Sequence, residues 1–213
     1  MIVIASLNPH KVAEIIALPA AKGLDFKLLG DYGAPPTVEE RGTTFEENAV
    51  IKAVGYSLWI KRSFSEQPVV VAEDAGLEIE TELSWPGVKS ARLAPTDKQK
   101  ITAVLYRLKG RKSRTARFIA CTALAINGYL ISTWRGVAQG RITHKPRGKG
   151  GFGYDPIFED EKLGLTFAEM TAAQKNKYSH RNKAWRKALD FIKHELKVEI
   201  TRRSGSTAAH SVE

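Results

Sequence analysis

With 213 residues and 43% hydrophobic side chains, the chain can bury one sizeable core, or two lobes sharing a sheet, and is too apolar to be a disordered polymer. No apolar run approaches the ~20 residues that span a bilayer, and Met1 leads straight into Ile-Val-Ile-Ala with no basic leader, so a soluble cytoplasmic protein is expected. The net charge of +10 calls for an anionic partner, either nucleic acid or a small phosphorylated molecule. Positive residues gather at Arg107 to Arg117, Arg141 to Lys149 and Lys175 to Lys187, whereas acids gather at Glu39 to Glu47 and Glu73 to Glu82. That bipolar pattern favours a metal and phosphate site over a uniform nucleic-acid face.

Ile2 to Ala5 reads as a short buried strand, and Asn8-Pro9 supplies an N-cap with proline at the first helical position. Ser6-Leu7-Asn8-Pro9-His10-Lys11 is therefore a strand-to-helix turn with free amides, a hydroxyl and a cation where a helix N-terminus attracts phosphate. Lys11 in a first turn opposes the helix dipole unless an anion lies nearby. A second short strand is expected around Phe26 to Leu29. Thr43 or Thr44, each with a glutamate three residues on, caps a helix ending near Arg62. On it Asn48 and Lys52 share a face that can point at a ligand, while Phe45, Ala49, Ala53 and Tyr56 line the apolar face. Taken alone, Lys52 reads as a solvated lysine.

Pro68 to Ala72 is a strand expected to end abruptly at Glu73-Asp74-Ala75-Gly76. Two adjacent carboxylates beside a buried strand are costly unless a cation satisfies them. Either the two side chains point to opposite faces, or a turn brings both to one ion. Trp85 to Val88 reads as a turn, and Thr96 with Gln99 caps a helix carrying Ile101, Val104, Leu105 and Leu108. Thr115 to Asn127 alternates as a strand, Asn127-Gly128 marks a hairpin, and Tyr129 to Ile142 returns as one or two strands. Cys121, the single cysteine, falls in the alternating run as a core residue. Thr171 with Gln174 caps a helix leading to Lys175, and Ser179-His180-Arg181 opens a final helix with Ala184, Trp185, Ala188, Leu189 and Ile192 inward. As bland readings, Ser179 is a plain cap and Arg181 a solvated side chain. The five histidines have no zinc-type spacing, and the Ser/Gly/Thr-rich stretch from about Thr201 suggests a disordered tail.

The segment Lys145 to Pro156 packs four glycines, cations, two aromatic rings and Asp155 between these elements, as a ligand loop would. Gly148 to Gly153 formally satisfies G-x-G-x-x-G, but Pro156 and a β-type Tyr154 to Phe158 follow where a dinucleotide fold needs a helix. No Gly-Lys pair is followed by Ser or Thr, so there is no P-loop either.

In this order, the motifs resemble those of the inosine triphosphate pyrophosphatase family, which hydrolyses deaminated purine nucleoside triphosphates (ITP, dITP, XTP) to monophosphate and pyrophosphate. The resemblance spans roughly residues 1 to 196. It implies an α/β fold with an elongated mixed sheet flanked by helices, two lobes around a central substrate cleft within residues 1–200, a homodimer and Mg²⁺ as cofactor. It places Ser6, Leu7, Asn8, Pro9, His10 and Lys11, with Lys52 and Ala75, along the triphosphate. Glu40, Glu73 and Asp74 are implied as metal-binding acids, with Asp74 the general base or water activator. Phe152, Gly153, Tyr154 and Asp155, with Lys175, His180 and Arg181, are implied as the base-recognition groups. Within the loop, Phe152 is expected to be the stacking face and Asp155 a polar reader or an anchor for the readers.

Two positions depart from the family pattern: the acidic pair is Glu-Asp where many members have Asp-Asp, and Ala75 stands where Ser or Thr is frequent. The first keeps the charge, and the second removes one hydroxyl contact. A related pyrophosphatase preferring pyrimidine or modified bases is the alternative within enzymes. A nucleic-acid-binding protein would leave Glu40, Glu73 and Asp74 unexplained, so neither nucleic acid nor membrane is expected as partner.

Overall fold

The structure, a computed structural model, describes residues 1–196, so the expected tail lies outside the described residues. Seven strands form a mixed sheet: β1 (Ile2–Ile4), β2 (Phe26–Leu28), β3 (Val69–Ile79), β4 (Trp85–Pro86), β5 (Thr115–Ile126), β6 (Tyr129–Ile142) and β7 (Phe158–Asp160). Their order is β2-β1-β3-β5-β6-β7, with β4 paired to the end of β3. The first three are parallel, as strands joined by helical crossovers must be, and the rest are antiparallel. Five helices flank the sheet: α1 (Pro9–Ile16), α2 (Phe45–Phe64), α3 (Asp97–Arg107), α4 (Ala172–Tyr178) and α5 (His180–His194).

The caps follow the local chemistry of the sequence. Thr44 rather than Thr43 caps α2 in a reciprocal box with Glu47, while Thr43 donates its N–H and hydroxyl to the same carboxylate. Thr96 with Gln99 and Thr171 with Gln174 form the same box on α3 and α4, and Ser179 caps α5 through Asn182 N–H. Asn127 and Gly128, both at positive φ, turn β5 into β6, which runs as one continuous strand. The Trp85 turn contributes the short β4 before its 3₁₀ turn, and Asp155 to Ile157 form another 3₁₀ turn ahead of β7.

One expectation is corrected. β3 does not stop at Ala72 but runs unbroken through Glu73, Asp74, Ala75 and Gly76 to Ile79, paired with β5 residue by residue. What ends near Val71 is the pairing with β1, whose last link is Ala5 N–H to the Val71 carbonyl. Between that link and the pairing with β4 at Glu78 no strand pairs with the β1 side of β3, and that gap, rather than a turn, is where the cleft forms.

Side-chain parity then assigns faces. Val70 and Ala72 pack with Cys121 and Ala123 beneath Phe45, Ala49, Ala53, Tyr56 and Ile60 of α2. Val69 and Val71 pack on the opposite face with Leu124 and with Trp185, Leu189 and Ile192 of α5. A third cluster, built on Leu77, Phe118, Ile142, Phe158 and Phe167, fills the far end of the sheet under α3. The cleft lies between the two ends.

Candidate active site

A cleft of about 390 Å³ opens beside β3. It is lined by the turn after β1, Lys52 of α2, Glu73 to Gly76, the loop carrying Phe152 to Asp155, and His180-Arg181 at the start of α5.

Because Glu73 and Asp74 are neighbours on a strand, they enter different networks. Asp74 faces α2, where its Oδ1 accepts from Lys52 Nζ at 3.1 Å and its Oδ2 from Asn48 Nδ2 at 3.3 Å. Lys52 Nζ also reaches Glu40 Oε1 at 2.9 Å, and Arg92 Nη1 donates to Glu40 Oε2 at 3.0 Å. Lys52 is thus a half-buried lysine held between two carboxylates. Burial would lower its pKa, but Asp74 and Glu40 outweigh this and raise it, so it stays charged. Burial likewise pushes the Glu40 carboxyl up, and its contacts with Lys52 and Arg92 bring it below the usual range.

Glu73 faces α5 and is 4% exposed, so its charge survives only because it is saturated with donors. Arg181 reaches it through Nε at 2.9 Å and Nη2 at 2.9 Å, Trp185 Nε1 at 2.8 Å and Lys11 Nζ at 3.2 Å. Burial alone would raise its pKa; Arg181 and Lys11 overturn that and hold the carboxyl far below 4.5. Glu73 is the anion that the first-turn Lys11 required. The arrangement also excludes the alternative in which a turn gathers Glu73 and Asp74 on one ion.

From Arg181 the network continues to Glu14 on α1, which accepts from Arg181 Nη1 and from Lys175 Nζ, both at 2.5 Å. Lys175 also donates to Asp155 at 2.5 Å, and the same Asp155 oxygen accepts Phe152 N–H at 2.8 Å. Three carboxylates and three cations therefore alternate from Lys11 to Asp155 across α1, β3, α4, α5 and the glycine-rich loop. Arg181 is buried, not solvated, and Asp155 is buried with its carboxylate engaged by Lys175 and the Phe152 N–H. Burial raises the Asp155 pKa despite the lysine beside it. Tyr154 is also internal: it is buried and its hydroxyl donates to the Ser90 carbonyl.

Two glycines make these approaches feasible. A Cβ on Gly136 of β6 would lie 2.1 Å from the His180 carbonyl, so only glycine lets the start of α5 settle on the sheet. Gly151 has φ +72, and a Cβ there would meet the Asp155 carboxylate at 2.0 Å. Above that turn the Phe152 ring faces the His10 imidazole.

His180 is buried, its ring stacked with Phe118 at 4.6 Å and 8°, and Phe167 parallel at 6.2 Å. Its Nδ1 has no partner among the described residues. Burial, reinforced by Arg181, pushes its pKa well below 6.5, so the ring is neutral at physiological pH. The unfolded chain binds a proton below 6.5 and the folded chain does not, so stability should fall as pH drops through that value. His180→Phe should flatten this dependence in urea midpoints between pH 7 and 5. An unchanged slope would show that His180 is charged in the fold.

At the turn after β1 the structure changes one detail. The expected free amides of His10 and Lys11 both donate to Asn8 Oδ1, at 3.0 and 3.2 Å, and Asn8 N–H donates to Ser6 Oγ at 3.2 Å. Pro9 contributes no donor, so Leu7 N–H is the amide here without an acceptor among the described residues. Ala75 lines the cleft with no hydroxyl to offer.

Several contributors were invisible as site residues in sequence. Glu14 lies three residues after Lys11 on the same helix face, a spacing that could have flagged it. Asp97 accepts Gly153 N–H at 2.7 Å, and Trp185 was legible only as a core residue.

Among the described residues no three His, Cys, Asp or Glu side chains are arranged to hold a metal. Glu40 and Asp74 nevertheless form a carboxylate pair already bridged by a cation. That suits Mg²⁺, which takes one or two carboxylates and completes its shell with substrate phosphate and water.

Residues 2–191 match the model of the Ham1 family. A Geobacillus kaustophilus protein named dITP/XTP pyrophosphatase is 43% identical over 188 residues, 86% of this chain and 89% of that protein. A Bacillus subtilis protein of the same name is 41% identical over 190 residues, covering 87% and 93%. The solved structure of a HAM1 protein from Coxiella burnetii superposes with TM-score 0.79 at 35% identity, over 90% of this chain and 98% of the other.

Proposed function

The chain belongs to the Ham1 family, and from that premise we propose that its cleft hydrolyses deaminated purine nucleoside triphosphates, dITP, ITP and XTP, to monophosphate and pyrophosphate. The observation that carries this reading is the division of labour across β3: Asp74 with Lys52 and Glu40 on one face, and the His180, Arg181, Lys175 and Phe152 group reached from the other.

The triphosphate enters along the turn after β1. Ser6, Leu7 N–H, Lys11 and Lys52 offer it a hydroxyl, an amide and two ammonium groups, and Asn8 holds that turn in shape. Glu40 and Asp74 would hold Mg²⁺, which when bound neutralises charge on the phosphates and on the leaving pyrophosphate. Glu73 acts instead as the anchor that keeps Lys11 and Arg181 in place. Asp74, oriented by Lys52 and Asn48, takes the proton of a water aligned for attack on the α-phosphorus.

Selectivity resides at the six-position of the purine. A 6-keto oxygen accepts hydrogen bonds, whereas the adenine amino group donates them. His180, which lines the cleft and whose Nδ1 has no partner among the described residues, offers the former a ring N–H that the latter cannot accept, and a site built to hydrogen-bond its substrate in this way discriminates by ~10⁴ or more. Phe152 supplies the stacking face. Phe152→Ala should raise the KM for ITP about tenfold while leaving inhibition by pyrophosphate unchanged; equal loss of both would return the loop to phosphate binding.

The test of the whole reading is Mg²⁺-dependent turnover of dITP, ITP, XTP, GTP and ATP with product identification. Orthophosphate in place of pyrophosphate, or equal rates on ATP, would contradict it, and preference for a pyrimidine triphosphate would select the related alternative. A homodimer and a cytoplasmic location belong to the same proposal. Light scattering after size exclusion reads the first, and no described helix is long and apolar enough to cross a membrane.

A further inference from the structure

His10, in the first turn of α1, and Phe152, in the glycine-rich loop, both line the cleft, and their rings stack with centroids 5.2 Å apart and planes inclined by 18°. A purine placed between them needs two van der Waals contacts, a separation of roughly 7 Å. The present spacing leaves no room for one. The backbone under Phe152 is fixed, its N–H tied to Asp155 and Gly153 N–H to Asp97. Lys175 Nζ and Arg181 Cζ, which lie 4.8 and 5.6 Å from the centre of the same ring, are buried and held by carboxylates. The His10 ring is exposed and makes no hydrogen bond among the described residues, although its backbone N–H is fixed on Asn8.

From this asymmetry we infer that His10 is a stacking placeholder: its imidazole covers Phe152 and must leave when a base enters. The backbone of His10 is anchored in the first turn of α1, so the ring moves by rotation about its side-chain bonds. Such a rotation swings it off Phe152 on an arc instead of backing it away in parallel, so the base replaces the imidazole and is not sandwiched beneath it. His10 is on this account a specificity-tuning residue for the base, not a triphosphate ligand. Each base contact is discounted by the aromatic contact it displaces.

The inference rests on the assignment of Phe152 to the base, and its test separates the two. Binding of inosine monophosphate, cytidine monophosphate and pyrophosphate, each with Mg²⁺, is measured by calorimetry on the wild type, His10→Ala and His10→Trp. An isolated stacked pair corresponds to roughly threefold to tenfold in affinity. His10→Ala should therefore bind the preferred monophosphate tighter by that factor, His10→Trp should bind it more weakly, and pyrophosphate affinity should not move in either. Weaker nucleotide binding by His10→Ala would mean that the imidazole sandwiches the base, and overturns the proposal, as does an unchanged affinity. Parallel changes for nucleotide and pyrophosphate would make His10 a phosphate ligand and overturn it too. If the wild type prefers the cytidine nucleotide, the purine assignment fails while the placeholder is still judged by the ratio of that nucleotide to pyrophosphate. If it binds neither monophosphate, both readings fall.

Discussion

Asp74→Asn is expected to lower the rate of pyrophosphate release from dITP by about 10²- to 10⁴-fold, the usual contribution of a positioned general base. The amide keeps the size of the carboxylate and its oxygen can still accept from Lys52, at the expense of the bond from Asn48 Nδ2, but it cannot take a proton from water. Lys52 retains Glu40 at 2.9 Å, so its charge stays paired and the fold should persist. A circular-dichroism melt within a few degrees of wild type, together with the collapse in kcat, is the expected pair of results. Activity within tenfold of wild type would remove Asp74 from its role.

The second large effect is on stability. Glu73→Gln leaves the buried Arg181 and the half-buried Lys11 facing a neutral amide, and breaking a buried ion pair from one side costs roughly 3–5 kcal/mol. Glu14 still accepts from Arg181 Nη1, which places the expectation toward the lower end of that range. Urea unfolding would measure it, and a loss below about 1 kcal/mol would show that Glu73 is not a structural anchor. Because the folded-state pKa of Glu73 is depressed, its contribution is complete above the ordinary value of 4.5 and is lost as pH falls toward the folded value. Wild type should therefore lose stability in acid more steeply than Glu73→Gln. Replacing both Glu73 and Arg181 by Met should recover part of the loss, since the penalty arises from an unpaired charge and not from missing volume.

Acid sensitivity from Glu73 and from His180 falls in different windows. His180 acts as pH drops below 6.5, when only the unfolded chain gains a proton; Glu73 acts below 4.5, when the folded carboxylate resists protonation. The two variants together divide the acid limb of the stability profile. The one cysteine adds nothing to it, since burial pushes the Cys121 thiol up to about 11.

Much of this protein was determined by the sequence itself, because the signals are local. Asn8-Pro9, Thr44 with Glu47, Thr96 with Gln99 and Thr171 with Gln174 specify helix starts through bonds spanning three residues or fewer. Asn127-Gly128 specifies a turn through its own backbone preferences. The ordered motifs from Ser6 to Arg181 were sufficient to indicate the family, and strand parity already allowed Glu73 and Asp74 to point apart. Tertiary structure decided what depends on partners distant in sequence. β3 continues past Ala72 because β5 supplies a hydrogen-bonding partner for each of its residues, which outweighs the weak strand preference of Glu-Asp-Ala-Gly. Lys52 and Arg181 look solvated in sequence, yet the fold half-buries the first and buries the second, because carboxylates 12 to 167 residues away offset their desolvation. Glu14 became part of the site only when α4 and α5 delivered Lys175 and Arg181 to it, a meeting of charges across some 160 residues that no local pattern encodes.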